Sequence, residues 1–241
     1  MTGTVPAQRL IVGSNMSKKL AESLDRLVLD VKFGSGAFMK TRTEAESLAR
    51  AMVSVGTEMG VRISHLLSPM DEPLGRAVGN ALEVAEAVEV LQGGGPDDVR
   101  LLTLDLAERV AFAKREELVQ WLDDGSAWRK FVALVEAQEG DATVLESLTE
   151  TYCAPIIEVI CAPSAGSVAS IDAGEIGRGC VALGAGRARM TDGIDFAVGC
   201  TLLQKIGAQV EKGDPVIRLH ARDQSSLDRA KSFFDRALRI E

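Results

Sequence analysis

The spacing of apolar positions changes partway along this chain, and the change separates two kinds of structure. Leu27, Val28, Leu29 and Val31 fall in a short apolar run over residues 26–31, closed by glycine, which predicts a buried strand. Thr43 and Glu46 then stand at capping-box spacing, and Ala45, Leu48, Ala49, Met52, Val53 and Met59 recur as one helical stripe up to Gly60. A second apolar run over 61–67 follows at once. Strand, helix and strand in that order predict a βαβ unit with parallel strands and a right-handed crossover. Further helices are expected over 80–91, stopped by Gly93, Gly94, Gly95 and Pro96, from Asp97 to about 113, over 116–122, and from Ser126 with Trp128 and Phe131. The last three read as covers for the sheet.

Beyond about residue 140 the helical period gives way to short β-prone runs with glycine turns between them, at Ile156–Cys161, Gly166–Ile171, 180–183, 195–198 and 216–220. An amphipathic helix over 225–238, with Leu227, Ala230, Phe233, Phe234 and Ala237 on one face, closes the chain. The fold expected is therefore a partial α/β sheet-and-helix domain over 1–140 and a smaller α+β, half-barrel sandwich-like domain over 150–241. Residues 206–216 have the turn chemistry of a biotinyl- or lipoyl-type half-sandwich. Such a carrier needs an exposed lysine on its hairpin, and the corresponding turn over 184–190 has none, which argues against a carrier role.

Candidate chemistry gathers at the first strand's end. Gly34 and Gly36 follow it directly, and in open α/β sheets ligands bind outside the carboxyl ends of strands. Just upstream, Leu10, Ile11 and Val12 form an apolar run without a visible partner, expected to be an exposed edge prone to association. Ser14 then caps or opens a helix to about Leu24, and i, i+4 spacing puts Ser14 and Lys18 on one face. Taken alone, Ser14 is a cap, Lys18 a solvated side chain and the glycine loop a tight βα turn. His65, in the second strand, has no partner placed by the sequence and receives no role.

Composition narrows the partners. A net charge of −8, without a basic block or a stack of aromatics, excludes a nucleic-acid surface and argues against an anionic membrane. No apolar run reaches the ~18–20 residues of a membrane span, and the first residues lack the pattern of a signal peptide, so a cytoplasmic protein is expected. Cys153, Cys161, Cys180 and Cys200 match no common zinc spacing and suit reduced thiols.

Four motifs stand in order: Ser14-Asn15-Met16-Ser17-Lys18-Lys19-Leu20-Ala21-Glu22, Asp30-Val31-Lys32-Phe33-Gly34-Ser35-Gly36-Ala37-Phe38-Met39, Met70-Asp71-Glu72-Pro73-Leu74-Gly75-Arg76 and Gly79-Asn80-Ala81-Leu82-Glu83-Val84. Through these, and through Leu183-Gly184-Ala185-Gly186-Arg187, Ile194-Asp195-Phe196-Ala197-Val198-Gly199 and Val210-Glu211-Lys212-Gly213, nearly the whole chain resembles the thymidine and pyrimidine-nucleoside phosphorylase family. The resemblance implies a nucleoside phosphorylase/phosphoribosyltransferase-type first domain and reversible phosphorolysis. In that reaction a pyrimidine nucleoside and inorganic phosphate give free base and pentose 1-phosphate, with no organic cofactor. It implies that Ser14 and Lys18 hold the base's carbonyl and ring nitrogen, with Lys18 as the catalytic cation, and that Ile11 and Phe38 wall the ring. Leu74, Ala77 and Glu86 match oxygen ligands of a structural potassium ion, the first two through backbone carbonyls.

The departures shape the expectation. The family's phosphate-binding glycine-rich loop, with its Lys-His-Ser-Thr run, has no counterpart here, nor has the helical domain through which the family forms homodimers. The family's base-binding arginine would align just before Met1. Pro6, Ala7, Gln8 and Arg9 depart from the usual run, and Asn15 replaces a usually apolar residue. The chain thus reads as the carboxyl-terminal part of a phosphorylase, from a truncated gene, a split enzyme or a fragmentary reading frame, inactive by itself and completed by a separate amino-terminal half. The alternative is a non-catalytic remnant or interaction module. Anthranilate phosphoribosyltransferase shares the wider fold but lacks the carboxyl-terminal domain, and thymidine and uridine preference stay undivided.

Overall fold

The computed structural model describes residues 7–187 and 189–241. Thr2, Gly3, Thr4, Val5 and Pro6, and Ala188 in the turn over 184–190, lie outside the described residues. Helix α1, Gln8–Ala21, takes in Leu10, Ile11 and Val12, so the run expected as an edge is helical. Its cap is Ala7, which leaves Ser14 in mid-helix, neither capping nor opening it.

Strands β1 (Arg26–Phe33) and β2 (Arg62–Pro69) flank helix α2 (Arg42–Glu58) and pair in parallel from Arg26↔Arg62 to Phe33↔Pro69, as the βαβ pattern requires. The capping box of α2 sits two residues earlier than expected: Thr41 accepts from the Glu44 N–H, and the Glu44 carboxylate accepts from the Thr41 N–H at 3.0 Å. Val12 and Met16 of α1, Val31 of β1 and Ala45, Leu48, Ala49 and Met52 of α2 make this unit's core.

Strand β3 (Ala77–Val78) precedes helices α3 (Asn80–Leu91), α4 (Asp97–Val110), α5 (Arg115–Asp123) and α6 (Ser126–Ala137). Only part of the expected covering role is met. Helix α4 packs on β1, whereas α5 and α6 pack on other helices, through Leu104, Leu118 and Leu122 in one cluster and Val88, Trp128, Phe131 and Leu145 in another. A 3-10 turn, Ala142–Ser147, and short helix α7, Leu148–Thr151, lead into the second domain.

That domain runs β4 (Ile156–Cys161), β5 (Gly166–Ile171), α8 (Ala173–Leu183), β6 (Gly199–Leu202), β7 (Gln209–Val210), β8 (Pro215–Ala221), α9 (Gln224–Ala237) and β9 (Leu238–Ile240). One antiparallel sheet has the order β3-β6-β8-β4 and a second β7-β5-β9. Two expected strands are corrected. Residues 180–183 form the last turn of α8: Asp172 caps it by accepting from the Glu175 N–H at 2.8 Å, and its buried positions Ile176, Gly179, Cys180 and Leu183 keep helical spacing. Residues 195–198 are a turn in which the Asp195 carboxylate accepts from the Ala197 N–H, and pairing begins only at Gly199. Ile171, Ile176, Leu183, Leu202, Ile217, Leu219, Leu227 and Phe234 fill the core.

Strand β3 joins the sheet of the second domain. Ala77 and Val78 pair with Thr201 and Cys200 of β6, and Arg76 donates from its guanidinium to the carbonyls of Leu202 and Leu203. Among the described residues no helix is long and apolar enough to cross a membrane.

Candidate functional site

Both parallel strands send loops from their carboxyl ends, and hydrogen bonds join the loops. The Met70 N–H donates to Phe33 O at 2.6 Å, and the Gly36 N–H donates to Met70 O at 2.9 Å. Ser35 donates from its amide to Asp71 Oδ1 at 3.1 Å and from its hydroxyl to Asp71 O at 3.0 Å. Gly34 has φ +118°, and a Cβ there would meet the Asp71 carboxylate at 2.6 Å. At Gly36 the conflict would be with Ala173 Cβ at 2.7 Å. Only glycine lets this turn sit between the loop after β2 and α8.

Beside the turn lies a mostly apolar cavity of about 370 Å³. Ile11, Asn15 and Lys19 line it from α1, Asp30 and Lys32 from β1, and Phe38 from the turn. Lys32 forms an ion pair with Asp30 at 2.6 Å and donates to Ser68 Oγ at 3.0 Å, while the Ser68 hydroxyl donates to Asp30. Lys32 and Ser68 are register partners, which brings this charged cluster to the strand ends.

Ile11 and Phe38 therefore share the cavity, as the base-wall expectation requires, though Phe38 is 76 % exposed. Ser14 and Lys18 share a helix face, but both are exposed and neither lines this cavity. Val12 and Met16 point into the core, and at 3.6 residues per turn positions 14 and 18 lie about 200–240° around the helix from Val12, towards solvent. Lys18 stands seven residues after Ile11 and within about 20° of it around the helix, so the outward stripe begins at the cavity's edge. Ile11, Asn15 and Lys19, at i, i+4 and i+8, line the cavity itself, and Asn15 donates to Ile11 O at 2.9 Å. That periodicity was present in the sequence, as was the alternation of Asp30 with Lys32, but the burial of Val12 and Met16 is what orients them.

The three expected potassium ligands line two cavities. Ala77 and Glu86 line a cavity of about 710 Å³ with Arg76, Arg218 and His220, while Leu74 lines a different one of about 570 Å³ with Lys32 and Asp98. Glu86 Oε1 accepts from the Arg76 and Ala77 amides at 2.7 and 2.9 Å. Burial raises the Glu86 carboxyl above its ordinary range, the two amides oppose this, and the charges of Asp98 and Glu89 add to the rise. Two carbonyls and one remaining carboxylate oxygen fall short of the several oxygens a hard cation takes, so these three residues do not complete a shell by themselves. His220, beside Thr201 at 3.2 Å, is held below the ordinary imidazole range by burial and by Arg218.

All four cysteines are free thiols, Cys180 and Cys200 buried with sulfurs 3.7 Å apart and Cys153 and Cys161 exposed. Among the described residues no His, Cys, Asp and Glu group of three or more is placed to hold a metal.

Residues 1–125 match the glycosyl transferase family, a/b domain, and residues 167–241 match the pyrimidine nucleoside phosphorylase C-terminal domain. The pyrimidine-nucleoside phosphorylase of Bacillus subtilis (strain 168) is 42 % identical over 234 residues, covering 93 % of this chain and 54 % of that protein. Those of Staphylococcus aureus strains RF122 and USA300 are each 41 % identical over 240 residues, covering 96 % of this chain and 55 % of theirs. The chain spans about half the length of these curated relatives. With both domains matched in order, and with the glycine turn and its cavity at the strand ends, the chain belongs to the thymidine/pyrimidine-nucleoside phosphorylase family.

Proposed function

We propose that this chain carries the base-binding side of a pyrimidine-nucleoside phosphorylase, with residues 1–140 as the base-binding domain and 150–241 as its carboxyl-terminal support. The observation that carries the reading is the apolar cavity at the carboxyl end of β1, walled by Ile11 and Phe38 and bordered by the helix that bears Ser14 and Lys18. In phosphorolysis a phosphate oxygen bonds to C1′ of the pentose as the glycosidic C–N bond breaks, and the electron pair leaves with the base. The base ring lies against Ile11 and Phe38, Ser14 holds its carbonyl, and the Lys18 ammonium meets the negative charge as it develops, where a preorganised cation contributes most.

Ser14 and Lys18 face outward from the core, so the base site closes only when further polypeptide covers that face of α1. The glycine-rich turns at 34–36, 93–95 and 184–186 carry no lysine and hydroxyl cluster suited to a phosphate cradle. We assign inorganic phosphate, the co-substrate the family implies, to the portion of the relatives that this chain does not span. Leu74, Ala77 and Glu86 join a potassium shell only when oxygens from that portion complete it.

The test is release of free base from thymidine and from uridine in millimolar phosphate, with the purified chain alone and after addition of an amino-terminal portion of a relative. Turnover only in the mixture is expected. Robust turnover by the chain alone overturns the assignment of the phosphate site, and no turnover in a mixture that demonstrably associates favours a non-catalytic interaction module.

A further inference from the structure

Lys205 belongs to the turn between β6 and β7, yet its ammonium lies inside the loop that follows β2. It donates to the carbonyls of Pro73 at 2.6 Å and Gly75 at 2.8 Å and to Asp98 Oδ2 at 3.2 Å, with Glu72 Oε1 at 3.6 Å. Three acceptors match the three donors of an ammonium group, and the Lys205 side chain is only 21 % exposed. Neighbouring bonds close the arrangement. The Ile206 N–H donates to Glu72 Oε2 at 3.0 Å and the Gly75 N–H to Asp98 Oδ2 at 3.0 Å. Burial acts to raise the Asp98 carboxyl, but the Gly75 amide and the Lys205 charge outweigh it and hold the group below the ordinary carboxylate range.

Two carbonyls and two carboxylates converging on one point form the kind of oxygen cage a hard cation takes. Here the positive charge is fixed to a side chain of the other domain. Directly before Glu72, Asp71 and Met70 hold the glycine turn through the bonds from Ser35 and Gly36. The short backbone stretch over 70–75 is thus held by hydrogen bonds from Lys205 and Ile206 at one end and from the turn that presents Phe38 at the other.

We propose that Lys205 is a tethered cation, a positioning residue that fills the cage in the loop after β2 and thereby sets the glycine turn at the cavity wall. It goes beyond the phosphorolytic reading and stands without it. The cage is separate from the Leu74, Ala77 and Glu86 set, since its carbonyls are those of Pro73 and Gly75.

The experiment compares the wild-type chain with Lys205→Ala and Lys205→Gln. Lys205→Ala should lower the thermal midpoint by about 5–10 °C. Methylammonium or potassium at high concentration should restore part of that loss, tetramethylammonium should not, and the wild-type midpoint should be the same in all three salts. Amide exchange at Ser35, Gly36, Gly75 and Ile206 should accelerate roughly tenfold or more, while amides of the β4–β8 ladder keep their protection. An unchanged midpoint, a loss that no small cation restores, or acceleration spread evenly over β4 and β8 overturns the proposal. If Lys205→Ala folds in none of the salts, Lys205→Gln decides by the same exchange pattern, because it keeps a donor but not the charge.

Discussion

At the scale of single residues, Lys18 and Glu86 carry the sharpest expectations. With the cavity covered by an amino-terminal portion, Lys18→Ala should lower kcat/KM by roughly 10²-fold or more, since a charge-assisted contact is lost where charge develops. Steady-state kinetics on the reconstituted enzyme measures it, and an unchanged rate in a folded variant removes Lys18 from the site. Glu86→Gln keeps an acceptor for the Arg76 and Ala77 amides but removes a carboxyl whose folded-state value is raised. A raised carboxyl holds its proton longer in the folded state, so its favourable contribution is present in acid and is lost as pH rises through the folded value. Asp98, held low, acts oppositely and costs stability as pH falls through its folded value. Glu86→Gln should therefore match wild type near pH 4 and become progressively more stable than it towards pH 8, by denaturant titration across that range. A constant difference would show that Glu86 does not titrate there. How far these residues were legible is plain in α1. Spacing alone puts Ser14 with Lys18, but it cannot say which stripe of a short helix is buried, and Val12 and Met16 decide that through contacts with α2.

Among the elements, strands and helices were legible where one period ran undisturbed. The βαβ unit is such a case, and so is α9, where Leu227, Ala230, Phe234 and Ala237 are all buried. Residues 180–183 misled because four apolar residues before a glycine fit a strand as well as a helix end, and the Asp172 cap that settles the matter lies eight residues upstream of Cys180. Strand β3 was illegible because two residues carry no period, and its pairing is with β6, far along the chain. The packing of α8 on α9 supplies an element-scale prediction. Phe234 is fully buried, and its ring lies so close to Gly179 that a Cβ there would meet it at 2.7 Å. Phe234→Ala should cost about 3–5 kcal/mol, since neither helix can collapse onto the space a ring leaves without moving the sheet beneath. Urea unfolding followed by circular dichroism tests it, and a loss under about 1 kcal/mol would mean the helices close the gap.

For the whole molecule, the two domains do not behave as beads on a string. The exposed stretch Gln138, Glu139, Gly140 and Asp141, with Glu139 at φ +61°, joins α6 to the 3-10 turn and α7, whose Leu145 and Leu148 pack back on Val88 of α3. Ala77 and Val78 are built into the sheet of the second domain, Arg76 is bound to Leu202 and Leu203, and Lys205 reaches into the loop of the first. Covalent continuity near Glu139 is thus redundant for cohesion. A protease that accepts Glu139, such as a glutamyl endopeptidase at low dose, should nick the chain into two polypeptides that co-elute as one particle on native size-exclusion chromatography and part only in denaturant. Separation on the native column would show that neither the packing of Leu145 and Leu148 on Val88 nor the pairing of β3 with β6 holds the pieces. If they stay together, the same two pieces, made independently, should find each other in solution, and the pairing of Ala77 and Val78 with β6 becomes a recognition signal by which a divided gene product reassembles.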